Sequence, residues 1–586
     1  MTRAAPATLL IVLVLLAAVA GSALRPVWSI DPDASLYLGL GQSLASGHGY
    51  ALDGVPHTKY PPGFPLLLSG LIEVGGPGNY LLFHAALVAA WLATVALAFA
   101  LVRRLGYSAA VALAIAALTA LSQTLFDLSV VYLRTEVLFL ALSLAALLAL
   151  QRALGERGTA AWTFLAAALC VAAMSVRLAG IALAAVPAVD VLRRTAPRAT
   201  RWRALAVLLA CGLALAAWQA RAQEVARGHP GAPDYGKEFV ASEPRDLTKI
   251  VRQDMPMLDA AGFAHRVAGN LDVMARAMAV LLTNVDRAGS RLPVGALLLG
   301  LVVGGLVLLW RSHEERGPRR QVVGYAAALL GLCLIWPFNQ QERFYVPLLP
   351  VLLLAAGECG AGAWRLLRRA SGTAPGRACL AVGGGALLFL LAAQRSDHPV
   401  LLGRWSWSYA ALLATLGAAW IGALLWLRGG RALPAPPRQL LVLLPALAAV
   451  PFAHHAFVEW PAQKRAFDER RASEPQPEPL ARIDVDPRLE QVAVFLRDRT
   501  PPDTVLMTDV PSMLQAMSGR RCIPFVYTLD PARVLTDGAD LVFYTREIPE
   551  AAAVMDAVAP ELQPVLQLPP VEESGRIVIP AVFRTR

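Results

Sequence analysis

Residues 9–24, LLIVLVLLAAVAGSAL, form an unbroken apolar run. Residues 30–68, IDPDASLYLGLGQSLASGHGYALDGVPHTKYPPGFPLLL, follow almost at once with carboxylates, a glycine-rich turn, a lone lysine and a double proline. The first stretch reads as a membrane span and the second as a polar loop emerging from it. Roughly 20 apolar residues cross a hydrocarbon layer of about 30 Å. Windows of that kind fall at 7–24, 80–102, 108–126, 136–151, 160–176, 178–192, 204–221, 292–310, 321–337, 344–358, 378–394, 408–427 and 439–457. The expected fold is a polytopic α-helical membrane protein of about 13 transmembrane helices. With 56% hydrophobic and 16% charged residues, a soluble protein built around one core is excluded.

The formal net charge of +11 does not point to nucleic acid, because the basic residues gather at alternate span ends. Arg103 and Arg104, the run from Arg193 to Arg203, the run from Arg311 to Arg320, and Arg365, Arg368, Arg369 and Arg377 mark one side as cytoplasmic. The first apolar run resembles a signal peptide, and it is read as a retained span because the inside/outside alternation closes only with it. The N-terminus is then cytoplasmic, and residues 25–79, 222–291 and everything after 457 face the outer side of the cell's inner (cytoplasmic) membrane. Of six cysteines, only Cys522 lies away from the spans, so no disulfide framework is expected.

Three parts follow from this pattern: a transmembrane domain over 1–457, a Pro- and Glu-rich linker over 458–480, and a small C-terminal α/β extracytoplasmic domain over 481–586. In the last, PRLEQVAVFLRDRTP, VPSMLQAMSG and PEAAAVMDAVAP read as helices, and DTVLMTD, ADLVFYT and RIVIPAVFRT as strands. The stretch from Leu258 has helical periodicity suited to a membrane surface. No internal repeat is visible, which argues against an inverted-repeat transporter.

Within the first outer loop, Asp31-Pro32-Asp33 predicts a helix start, with Asp31 as N-cap, Pro32 at the first position and Asp33 in the first turn, running to Ser46 and stopping at Gly47. Leu36, Leu40 and Leu44 give it one apolar stripe suited to the interface. Both aspartates serve either as caps or as functional carboxylates. His57, Lys59 and Tyr60 sit on backbone stiffened by Pro61 and Pro62, where Lys59 reads as a phosphate ligand or a snorkelling lysine. Arg134 and Glu136 stand at a span entry, as a simple pair or as a functional site, since a carboxylate at the membrane edge needs a partner or water. Arg343 precedes another span as an anchor or a phosphate-gripping guanidinium, and Arg177 interrupts an apolar stretch.

The order of these motifs, D-x-x-x-Y-L, S-L-A-x-G-x-G-Y, K-Y-P-P-G-x-P-L-L, R-T-E and R-F-Y-x-P-L-L-P, resembles the GT-C fold membrane glycosyltransferases related to aminoarabinose transferases and protein O-mannosyltransferases (glycosyltransferase family 39 type). The resemblance covers most of the chain and implies an inverting hexosyl or pentosyl transfer from a polyprenyl-phosphate sugar donor to a lipid, glycan or protein acceptor. It assigns the catalytic aspartate to Asp33 and an acidic position to Glu136. It gives the donor phosphate to Lys59 and Arg343. The residues themselves add Arg177 on the phosphate side and place Asp31, His57, Tyr60 and Arg134 in support. Ala34 stands where relatives carry a second carboxylate. A divalent metal is compatible with this chemistry, but no ligand cluster in the sequence requires one. The competing classes are a transporter or lipid flippase, for which Arg177 and Asp190 leave room, and an inactive envelope-assembly scaffold.

Overall fold

The computed structural model describes residues 4–52, 54–193, 196–229, 239, 250–252, 257–283, 291–312, 316–337, 341–370, 445, 448–449, 452–453, 455–473, 482–527, 539–545, 562–569, 571–573, 576–578 and 581–584. In chain order the first half comprises α1 (Ala4–Ala23), β1 (Trp28–Ser29), α2 (Pro32–Ala45), β2 (Ala51–Leu52), β3 (Val55–Pro56), α3 (Gly63–Gly75), α4 (Tyr80–Arg104), α5 (Ala109–Ala120), α6 (Gln123–Val130), α7 (Glu136–Ala153), α8 (Ala160–Val176), a 3-10 segment Leu178–Ala184, and α9 (Ala185–Leu192). Next come α10 (Arg198–Gly228), β4 (Ile250–Arg252), α11 (Ala260–Thr283), α12 (Arg291–Arg311), α13 (Arg316–Ile335), 3-10 turns at Gln341–Phe344 and Val346–Leu348, and α14 (Leu349–Ala370). Among the described residues six helices are long and apolar enough to cross a membrane, or seven if the bent pair α5 and α6 is one span. The chain is a multi-pass membrane protein. The expected spans at 378–394 and 408–427 and most of 439–457 lie outside the described residues, as do most of the linker and the expected helix at 549–560.

Two windows read as single spans are broken. The window 108–126 bends by 55° between α5 and α6, because Ser122 accepts from the Leu125 N–H and starts a new helix. The window 178–192 opens as a 3-10 turn and becomes α-helical only at Ala185. In the first loop, GFPLLLSGLIEVG forms α3, which its glycines and proline hide at the level of propensity. Burial of Phe64, Leu68 and Ile72 offsets that cost. The apolar stripe of α2 meets this helix, with Gly41 close against Leu68. The stretch after Leu258 forms α11, whose Met274, Met278 and Leu281 are buried against α12 and α13 while Phe263 and Leu271 stay exposed.

After a short π-helical segment, His455–Glu459, the tail holds α15 (Trp460–Ser473), β5 (Ile483–Asp484), α16 (Pro487–Arg499), β6 (Val505–Thr508), α17 (Pro511–Ser518), β7 (Arg521–Tyr527), β8 (Leu541–Phe543), β9 (Gln563–Gln567), β10 (Val571–Glu573), β11 (Arg576–Val578) and β12 (Ala581–Arg584). A six-stranded sheet runs in the order β4-β7-β6-β8-β12-β9, parallel from β4 to β8 and antiparallel beyond. Its edge strand β4 comes from the middle hydrophilic segment, so the sheet is not made by the tail alone. A second link is β1, which pairs in parallel with β5 at Trp28↔Ile483 and Ser29↔Asp484.

The start of α3 packs tightly on the end of α8: a Cβ on Gly63 would stand 2.6 Å from the Ser175 carbonyl oxygen and 2.5 Å from its Oγ. Backbone cannot rotate away as a side chain can, so Gly63→Ala pushes the two helices apart. We expect a loss of about 1–3 kcal/mol, read as a lower denaturation midpoint in lipid nanodiscs. An unchanged midpoint contradicts this packing.

Candidate active site

The site forms where four parts of the chain, distant in sequence, meet at one end of the bundle. Helix α2 brings Asp33 because Asp31 caps it: Asp31 Oδ1 accepts from the N–H groups of Asp33 at 3.0 Å and Ala34 at 3.1 Å. Such a cap is worth about 1 kcal/mol. The first turn of α7 brings Glu136, the break after α8 brings Arg177, and the 3-10 turn before α14 brings Arg343.

These groups form a chain of alternating charge. Arg343 Nη2 lies 2.7 Å from Asp33 Oδ2, and its Nε lies 3.9 Å from Glu136 Oε1. Arg177 Nη1 lies 2.6 Å from that same Oε1 and donates to Thr135 Oγ1 at 2.9 Å. Arg134 Nε reaches Asp31 Oδ2 at 3.1 Å. The simple Arg134–Glu136 pair is therefore not what forms: Arg134 takes the capping aspartate and Glu136 takes Arg177. Asp31 thus acts twice, as cap and as counter-ion. Glu136 is buried, and among the described residues its Oε2 has no hydrogen-bond partner.

The second half of the loop forms an aromatic brace. Tyr60 donates its hydroxyl to Asp33 Oδ1 at 2.9 Å. His57 stacks on Tyr60 with ring centroids 5.6 Å apart, and its Nε2 accepts from the Tyr60 N–H at 3.0 Å. Tyr50 packs edge-on against His57 and donates to the Tyr60 carbonyl. Lys59 is 1% exposed, with its Nζ 5.4 Å from the Tyr60 ring centroid. It is thus enclosed by the protein against the brace, without the exposed head of a snorkelling side chain.

Beside Asp33 opens a cavity. Asp33, Tyr60 and Arg177 line it at the polar end, and Phe139, Leu329, Leu332, Cys333 and Trp336 continue it as an apolar wall. Sequence reasoning missed that wall, since its residues come from α7 and α13 and look like ordinary span residues. It also missed Asn270 on α11, a buried polar side chain in a helix read as a surface element. Asn270 Nδ2 donates to the carbonyls of Leu334 at 2.9 Å and Trp336 at 2.8 Å. It thereby satisfies the end of α13 and sets Trp336 just ahead of Arg343.

Among the described residues no three His, Cys, Asp or Glu side chains converge as metal ligands. Each carboxylate of the site is matched by a guanidinium. Asp190, the other charge within an apolar segment, pairs with Arg193 at 3.2 Å and accepts from Gln321, at the far end of the segment that Arg177 begins. The two do not form a charged path.

This arrangement, a helical bundle with a capped loop helix and an α/β tail, shares its fold with solved structures of ArnT. The crystal structure of ArnT from Cupriavidus metallidurans bound to undecaprenyl phosphate aligns with a TM-score of 0.51 at 14% identity, covering 98% of this chain and 98% of its own. The apo form of the same protein aligns with a TM-score of 0.53 at 13% identity, covering 99% and 98%. No family model matches the sequence, and no curated protein matches it.

Burial by itself would raise the Asp33 carboxyl; the Arg343 and Arg134 guanidiniums, with hydrogen bonds from Arg343 and Tyr60, outweigh it and hold the group well below the ordinary carboxylate range. A depressed folded value stabilises the fold above the unfolded value and loses that contribution as pH falls toward the folded one. Wild type should therefore exceed Asp33→Asn in stability by about 1–3 kcal/mol. The gap should hold steady through neutral pH and shrink only below about pH 4, the unfolded carboxylate range. Denaturation midpoints of both proteins against pH test this, and a gap that closes near neutrality contradicts the pairing.

Proposed function

We propose that the chain is a glycosyltransferase that moves a sugar from a polyprenyl-phosphate-linked donor to an acceptor hydroxyl on the outer side of the cytoplasmic membrane. The observation that carries this reading is the Asp33–Arg343 pair beside a cavity lined both by ionic groups, Asp33 and Arg177, and by apolar side chains. An amphiphile with an anionic head and a hydrocarbon tail matches that lining. The positive-inside pattern of the sequence supports an outward-facing site, and the GT-C fold supports the reaction class.

Asp33 is the general base, with both carboxylate oxygens engaged in the resting state by Tyr60 and Arg343. A donor phosphate competes for Arg343. As the guanidinium turns toward the phosphate, Asp33 loses its nearest cation and becomes more basic when the acceptor must be deprotonated. The acceptor oxygen then bonds to the anomeric carbon while Asp33 takes its proton. The bond from that carbon to the phosphate oxygen breaks on the opposite face, so configuration inverts. Polyprenyl phosphate leaves with the electron pair, its growing charge met by Arg343 and Arg177. Glu136 holds those two guanidiniums in place. Lys59 supports the phosphate side of the loop from beneath Tyr60.

The test is release of polyprenyl phosphate by purified protein in lipid, presented with hexosyl and pentosyl polyprenyl-phosphate donors and hydroxyl acceptors. Asp33→Asn should lower turnover by about 10²–10⁴-fold. Arg343→Lys keeps a charge but loses the planar fork, and should cost on the order of 10-fold or more. Turnover by Asp33→Asn at the wild-type rate overturns the assignment. Movement of a labelled solute or lipid across the bilayer without donor consumption overturns the reaction class.

A further inference from the structure

The tail accounts for about a fifth of the chain by its numbering and contributes none of the charged groups of the site. It nevertheless holds the segment that carries Asp33 at three successive points. Arg25, at the exit of α1, lies 3.5 Å from Asp484 and stacks over Trp460 at 4.4 Å. Beyond it, β1 pairs with β5 and the Ile30 N–H donates to the Asp484 carbonyl at 3.2 Å. At the start of α2, Ser512 Oγ donates to the Pro32 carbonyl at 3.1 Å, and Ser35 Oγ lies within hydrogen-bond reach of Ser512 Oγ at 2.8 Å.

The last contact is the informative one. Pro32 is bonded directly to Asp33, and two serines reach its carbonyl, Ser35 from within α2 and Ser512 from α17. The position of Ser512 is in turn set by the sheet. Asp509, buried at the carboxyl end of β6, accepts from the Thr545 N–H at 3.0 Å and from the Thr545 hydroxyl, tying the turn before α17 to the end of β8. Sheet, turn, α17, Ser512 and Pro32 make one continuous route to the carboxylate.

We propose that Ser512 is a positioning residue for the reaction: through the Pro32 carbonyl it fixes the first turn of α2, and with it the direction in which Asp33 faces the cavity. This rests on the assignment of Asp33 as base. Ser512 touches neither cavity nor charge network, so losing its hydroxyl leaves donor binding intact and loosens only the aim of the carboxylate. A base displaced by a fraction of an ångström loses rate steeply.

The test uses the full-length protein in nanodiscs. Ser512→Ala should lower kcat about 5-fold or more with KM for the donor, and binding of undecaprenyl phosphate, within 2-fold of wild type. Ser512→Thr, which restores the hydroxyl, should recover most of the loss. Ser35→Ala and Ser512→Ala together should cost less than the product of their separate effects, since they act on one carbonyl. Amide hydrogen exchange over residues 28–40 should speed up in Ser512→Ala, with exchange over the β6–β8 strands unchanged. An unaltered kcat, no recovery with threonine, or unchanged exchange over residues 28–40 overturns the proposal. Asp33→Asn run alongside separates the two ideas. If it is inactive while Ser512→Ala matches wild type, only the positioning role fails. If it matches wild type, the base assignment fails, while exchange still reports whether the tail holds α2.

Discussion

The ion pair between Asp33 and Arg343 is the constraint on which the rest of the site depends. At 2.7 Å it joins the loop helix after the first span to the turn before α14, more than 300 positions later in the numbering. Neither charge is stable alone in such a position, because burial of an unpaired ion costs several kcal/mol. The pair is therefore embedded in a neutralising set of three guanidiniums, Arg134, Arg177 and Arg343, and three carboxylates, Asp31, Asp33 and Glu136. In a site so composed, each buried charge has a partner of opposite sign.

The scaffold holds each member of this set by backbone devices. Asp31 caps α2, Asn270 closes the end of α13, and Gly63 lets α3 approach the end of α8 where Arg177 begins. The tail adds a second support from the opposite side. It pairs with β1 and reaches the carbonyl beside Asp33, so the loop is gripped between bundle and sheet. Even the sheet is shared, since β4 from the middle hydrophilic segment extends its edge.

Much of this was legible in the sequence wherever the cause is local. Helix α2 begins at Pro32 and ends before Gly47 as its caps foretold, and helices occupy the apolar windows from 7–24 to 344–358. The candidate residues Asp33, Glu136, Arg177 and Arg343 do come together. What was not legible has a physical reason in each case. Helix α3 has poor intrinsic propensity and forms because its apolar side is buried. The bend between α5 and α6 turns on one capping serine inside an apolar run. Strand β7 carries Pro524 and begins at the second of two arginines, and β4 lies far in sequence from the sheet that it completes.

The sequence by itself determined that the chain crosses a membrane repeatedly, where its polar loops lie, which helix starts at Asp31, and which ionisable residues stand at span ends. Those features follow from hydrophobic length, alternation of charge and capping chemistry, all of which act within a few residues. Only the tertiary structure decided which carboxylate each arginine takes, that Lys59 is buried beneath Tyr60, that α7 and α13 wall the cavity, and that the tail rests on Pro32. Those outcomes depend on which helix ends converge, and no periodicity along a single chain specifies the partner that a buried charge will find.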